Sequence, residues 1–205
     1  YNVSGCKASG KAELVKPADR DSSLWAAARC SDGGNYGFQL SLSPSGNSRD
    51  WVIYLEGGGL CDDNITDCAT RGSDKKSPLP GADKSVTQID NRGVFNRSTS
   101  VNPTFSDANL VFNPYCTSDQ WSGSSTSRRP TTADTQGWYF TGKTNVRSML
   151  EVLIQRYGLD DSSDQTKILF AGSSAGGEGV MVNANDVKGL FPRIATSNRL
   201  KIVND

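Results

Sequence analysis

Gly172-Ser173-Ser174-Ala175-Gly176 is the segment of this chain whose residue types and spacing could do chemistry. A G-x-S-x-G run that follows a strand and opens a helix forms a nucleophile elbow, a strained turn that lifts a serine hydroxyl above a sheet. The apolar run Ile168-Leu169-Phe170-Ala171 precedes it and an Ala/Gly/Val-rich segment follows, so Ser174 is the candidate nucleophile of an acyl-transfer reaction. Gly172 and Gly176 supply room for the turn, and Ala175 opens the next helix with its N–H towards the site. A serine hydroxyl needs a base, and in hydrolases of this kind the base is almost always an imidazole. The 205 residues contain no histidine. Three alternatives follow: a histidine on sequence outside this chain, a base of another kind, or a serine without activity. Acid and histidine follow the nucleophile in chain order in alpha/beta hydrolases. This chain stops at Asp205, directly after the strand-like Leu200-Lys201-Ile202-Val203.

A second chemical segment is Trp51-Val52-Ile53-Tyr54-Leu55-Glu56-Gly57-Gly58-Gly59, a strand-like run ending in three glycines. The tetrahedral intermediate of acyl transfer carries negative charge on the former carbonyl oxygen, and backbone N–H groups in a glycine turn can reach it. Gly57, Gly58 and Ala175 are the candidate donors. By itself a glycine run after a strand is as well read as an ordinary turn; beside an elbow the catalytic reading is favoured. A third segment, Asn113-Pro114-Tyr115-Cys116-Thr117-Ser118-Asp119-Gln120-Trp121-Ser122-Gly123, follows another strand. Tyr115 and Trp121 are candidates to line an acyl or sugar pocket, and Gly59 and Leu60 are further pocket candidates. The plainer reading of Trp121 is a buried anchor for its loop. Glu56, Asp119 and Glu178 lie near these motifs, and nothing in their spacing makes two of them an acid–base pair.

The elements that must position these residues are legible from pattern. Gly37–Leu42 alternates as a half-buried strand, Trp51–Leu55 and Ala108–Phe112 are continuous apolar runs of buried strands, and Asn113-Pro114 breaks the latter. Val146, Met149, Leu150, Leu153, Ile154 and Tyr157 form one apolar stripe of a helix over Thr144 to Arg156, with Gly158 placed to stop it. Residues 71–97 read as a polar surface excursion. This order predicts an alpha/beta, alpha/beta-hydrolase-like fold, with a mostly parallel sheet and helices on both faces. Residues 1–205 are then the N-terminal part of a single domain, incomplete without a C-terminal portion.

Composition sets the compartment. The 22 basic and 22 acidic residues cancel, which leaves no basic face for nucleic acid, and no apolar run is long enough to span a membrane. Five cysteines and the sequons at Asn2, Asn64 and Asn96 point to a secreted glycoprotein. Cys61 and Cys68 flank a short acidic loop that a local disulfide can close. Without histidine or C-x-x-C a zinc site is disfavoured, so no metal is expected.

Taken together, E-G-G-G-x-C, Asn113-Pro114-Tyr115-Cys116, Trp121-Ser122-Gly123 and Gly172-Ser173-Ser174-Ala175-Gly176-Gly177 resemble the pectin acetylesterase/Notum family of secreted serine carboxylesterases. The resemblance runs over about residues 28 to 205. It implies an alpha/beta-hydrolase fold, no cofactor, and a Ser-His-Asp triad with Ser174 as nucleophile and Gly57, Gly58 and Ala175 as oxyanion hole. It also implies disulfides Cys61–Cys68 and Cys30–Cys116, leaving Cys6 without an obvious partner. The triad acid and histidine fall beyond Asp205, which is not itself assigned as the acid. The expected partner is a separate C-terminal chain of the same precursor that carries both. The expected function is therefore a carboxylic ester hydrolase that removes an acetyl group from a glycan or a fatty acyl group from a protein. The alternative is a non-catalytic secreted glycoprotein that keeps the fold as a binding or structural module.

Overall fold

The computed structural model of the chain describes residues 12–16, 26–61, 68, 93–129 and 137–205. Asn2, Cys6, Asn64 and most of the polar excursion lie outside the described residues.

Six strands form one sheet: β1 (Ala12–Val15), β2 (Phe38–Ser41), β3 (Asp50–Leu55), β4 (Asn109–Asn113), β5 (Lys167–Gly172) and β6 (Leu200–Asn204), in the order β1-β2-β4-β3-β5-β6. β1 and β2, and β2 and β4, pair antiparallel; β4, β3, β5 and β6 run parallel to one another. Parallel pairing needs a crossover between strands. After β4 that connection contains α1 (Gly142–Tyr157), and after β5 it contains α2 (Ala175–Leu190) and the short α3 (Pro192–Thr196).

Alternation along the strands divides the core into two layers. Trp51, Ile53 and Leu55 of β3 pack with Phe38, Leu40, Val111, Ile168 and Phe170 under Val146, Met149, Leu150 and Leu153 of α1 and Val180 and Val187 of α2. The intervening Val52, with Leu110, packs with Phe95 and Ala108, joined by half-buried Tyr54, Phe105 and Phe112. Among the described residues both long helices therefore cover one face, and segment 93–108 covers the other. An apolar run shows only that both sides of a strand are buried; Phe95 and Phe105 on an irregular segment bury it as well as a helix does.

The helix limits follow local chemistry. Gly158 ends α1 in a left-handed conformation (φ 77°), its N–H returning to the Leu153 carbonyl. At the other end Thr141 offers no side-chain cap. Asp119 serves instead, its Oδ2 accepting the Gly142 N–H at 2.8 Å from a different loop. Two disulfides tie the irregular segments: Cys30–Cys116 joins the stretch before β2 to the exit of β4, and Cys61–Cys68 packs on Trp138. β1, four residues with one exposed side chain, has no counterpart in the sequence reading.

Candidate active site

The elbow sits where β5 runs into α2. Ser174 adopts φ 54° and ψ −127°, a left-handed backbone that a non-glycine residue holds only when its surroundings enforce it. Those surroundings are visible. The Ser174 N–H donates to the Asp205 carbonyl at 2.8 Å, and the Asp205 N–H donates to the Gly172 carbonyl at 3.0 Å. On the other side the Gly176 N–H donates to Ser173 O at 2.9 Å and the Glu178 N–H to Ser174 O at 3.0 Å. The Tyr54 hydroxyl holds the Ser173 hydroxyl at 2.9 Å from the opposite face of the sheet. A Cβ at Gly176 would fall on the Leu55 carbonyl oxygen, so only glycine lets α2 cross so close above β3.

A serine at a helix N-cap ordinarily spends its hydroxyl on the first free amides. Ser174 precedes α2 without doing so: it makes no side-chain cap hydrogen bond, it is exposed, and its Oγ has no partner among the described residues. The left-handed turn aims the hydroxyl out of the helix.

β3 delivers the glycine loop to the same place. A Cβ at Gly57 would sit 3.0 Å from Ser174 Cβ and 2.5 Å from the Ser173 carbonyl oxygen, so the loop lies directly against the elbow. Among the described residues neither the Gly57 N–H nor the Ala175 N–H has a hydrogen-bond acceptor. Buried or half-buried backbone donors are nearly always paired, and spare ones beside an exposed serine are the raw material of an oxyanion site. Gly58 (φ 155°) and Gly59 (φ 71°) continue the loop outward to Leu60, which is 46 % exposed.

Tyr115 and Trp121 belong to the frame. Both are fully buried among the described residues. Their rings lie 5.4 Å apart, and Tyr36 meets Trp121 edge-on. The Trp121 indole N–H donates to the Glu56 carbonyl at 3.0 Å. Glu56 is held further by its N–H on the Asn113 carbonyl and by its Oε2, which accepts the Tyr115 N–H at 2.8 Å. Asn113 in turn donates to the Tyr54 carbonyl and accepts the Tyr36 hydroxyl at 2.6 Å, where burial pushes the phenol pKa well up. Asp119 accepts hydrogen bonds from Thr117, Trp121, Gly123 and Gly142, folding a loop in which Ser118, Gln120 and Trp121 all have positive φ.

Tyr54 and the strut role of Glu56 have no counterpart in the sequence reading. A strand's alternation names the face of Tyr54 and not the atom its hydroxyl meets. No cluster of metal-ligating side chains occurs among the described residues. A groove of about 470 Å³ between α1 and α2, lined in part by Lys143, Val146, Leu150 and Asp186, contains none of the site residues.

The strand order, with a left-handed serine at the end of β5 and a glycine loop at the end of its neighbour β3, defines an alpha/beta-hydrolase-like fold. Comparison with known proteins gives the family. The pectinacetylesterase family model matches residues 9–205. A Drosophila melanogaster protein named palmitoleoyl-protein carboxylesterase NOTUM is 33 % identical over 182 residues, covering 88 % of this chain and 26 % of that protein. The human protein of the same name is 34 % identical over 164 residues, 80 % of this chain and 30 % of its own length. The crystal structure of the Wnt deacylase Notum from Drosophila superposes with a TM-score of 0.71 at 27 % identity, over 94 % of this chain and 51 % of that one. The chain belongs to the pectinacetylesterase family. It spans about half of the solved relative and under a third of the curated ones. Both disulfides implied by the resemblance are formed.

Proposed function

We propose that this chain carries the nucleophile and oxyanion site of a serine carboxylesterase, and that the triad acid and histidine come from sequence outside residues 1–205. The observation that carries this reading is the exposed Ser174 hydroxyl beside two backbone donors, Gly57 N–H and Ala175 N–H, all three without a partner among the described residues. Ser174 Oγ adds to the acyl carbonyl while the histidine takes its proton. The carbonyl oxygen becomes an oxyanion held by Gly57, Ala175 and Gly58. Collapse expels the alcohol, protonated by the histidinium, and leaves an acyl-enzyme. Water, deprotonated by the same histidine, repeats the addition and releases the acid. The acid and histidine belong to a separate C-terminal chain of the same precursor. The substrate is a carboxylic ester of a glycan or protein, an acetyl group or a fatty acyl chain, with Gly59 and Leu60 at the open rim.

The test is hydrolysis of p-nitrophenyl esters of increasing acyl length by the natively purified protein and its Ser174→Ala variant. Turnover falling by about 10⁶ in the variant supports the reading. Equal turnover in both, or none in the native protein, would favour a non-catalytic binding module.

The same reading makes the protein a secreted glycoprotein. Two disulfides fit an oxidising compartment. Asn96 Oδ1 accepts the Ser98 N–H at 2.8 Å while its Nδ2 has no partner among the described residues, leaving that nitrogen open to a glycan. Asn2 and Asn64 are proposed likewise. Glycosidase treatment should convert Asn96 to aspartate in a peptide map, and an unmodified Asn96 in secreted protein would contradict its occupancy.

A further inference from the structure

An oxyanion site works only if its donors are aimed before the reaction begins. Three consecutive glycines are the worst material for that, because glycine has the widest backbone freedom of any residue. Something else must therefore hold the Gly57 amide, and the described residues include a group suited to do so. The Glu56–Gly57 peptide is trans and planar, so its C=O and N–H point in opposite directions. Whatever fixes the Glu56 carbonyl fixes the direction of the Gly57 N–H. The donor on that carbonyl is the indole N–H of Trp121, at 3.0 Å.

Trp121 is itself held at every backbone group and on its ring. Its N–H donates to Asp119 Oδ1 at 3.1 Å, and its carbonyl accepts Asn183 Nδ2 at 2.9 Å. A Cβ at Gly179 would lie 2.5 Å from Trp121 Cδ1, so α2 packs its backbone against the indole. Tyr115 lies along another side of the ring, and the backbone of Trp121 is left-handed (φ 60°), a conformation held only under such constraint. The result is a buried, rigid post with a single polar atom, seated against the helix that begins at Ser174. Its end fixes the peptide that offers the first oxyanion donor, so the nucleophile's helix and the oxyanion loop share one reference.

We propose that Trp121 is the positioning residue of the oxyanion site: its indole N–H fixes the Glu56 carbonyl and thereby aims the Gly57 N–H at the developing oxyanion. This rests on the esterase reading above, and it assigns Trp121 a role without contact to substrate.

The test uses the natively assembled protein with Trp121→Phe, and with Trp121 replaced by 3-benzothienylalanine, which keeps the indole's shape and lacks the N–H. Steady-state kinetics on a p-nitrophenyl ester are read beside the affinity of an alkylboronic acid, whose adduct with serine is tetrahedral. In both variants kcat should fall about ten- to hundredfold, less than the full loss of a donor. KM should move by less than about threefold, boronate affinity should fall in step with kcat, and the isostere should keep the native melting temperature. A purely structural Trp121 gives the other result: the isostere matches the native protein in kcat and boronate affinity, and Trp121→Phe loses only stability. That outcome, or a change confined to KM, overturns the proposal. A native protein that neither hydrolyses esters nor binds the boronate would instead remove the esterase reading, and this inference with it.

Discussion

On the proposed esterase reading Ser174 and Gly57 are the residues on which the chemistry turns, and they differ in how openly the sequence displays them. Ser174 is announced by its glycine neighbours, because a left-handed serine between a strand and a crossing helix tolerates no larger residues at 172 and 176. Gly57 is announced only as one of three glycines, and spacing alone does not say which amide faces the serine. Distance decides it: with Ser174 Cβ and the Ser173 carbonyl so close, any side chain at 57 must push the loop off the elbow. Gly57→Ala should therefore lower kcat by about 10²–10³, as loss of an oxyanion donor does, with ester KM little changed. An alanine variant with native kcat would show that the loop does not serve the reaction. Tyr54 stayed hidden, since nothing in a strand's pattern predicts that a hydroxyl on the far face will reach Ser173.

At the scale of elements, periodicity served best where one face of a long segment is buried. The α1 stripe set the helix to within two residues at its start and one at its end, and the left-handed Gly158 closes it as expected. The strands β2 to β6 were legible within a residue or so at each end, β2 from its alternation and β3 and β4 as continuous apolar runs. That Phe95 and Phe105 pack on the face away from α1 and α2 was not, because burial of a strand carries no record of its neighbour. The cap of α1 was equally illegible: Asp119 reaches Gly142 across 23 positions of sequence. That carboxylate also closes the loop that presents Trp121, so it couples one helix end to the oxyanion frame. Asp119→Ala should cost about 2–3 kcal/mol in chemical denaturation, from several lost charge-assisted hydrogen bonds and an uncapped helix. An unchanged midpoint would mean that Thr141 or water replaces the cap without loss.

At the scale of the whole molecule, the proposed reading gives the chain two of the three parts of an acyl-transfer site, and its 205 residues hold no histidine with which to make the third. Among the described residues the Ser174 hydroxyl stands exposed with no partner, as that reading requires. Residues 1–205 by themselves should thus be about 10⁶ slower than the natively assembled protein, the factor by which a triad fails when its base is removed.

On the proposed reading Ser174 becomes a competent nucleophile once a histidine outside this chain is in place. This is tested most directly by treating the natively purified protein, the isolated residues 1–205 and the Ser174→Ala variant with a fluorophosphonate, then mapping the adduct by mass spectrometry. Rapid, stoichiometric labelling of Ser174 is expected in the native protein alone, with a histidine-bearing companion chain in the same spectrum. No adduct on folded native protein, or equal labelling of the isolated chain, would contradict it.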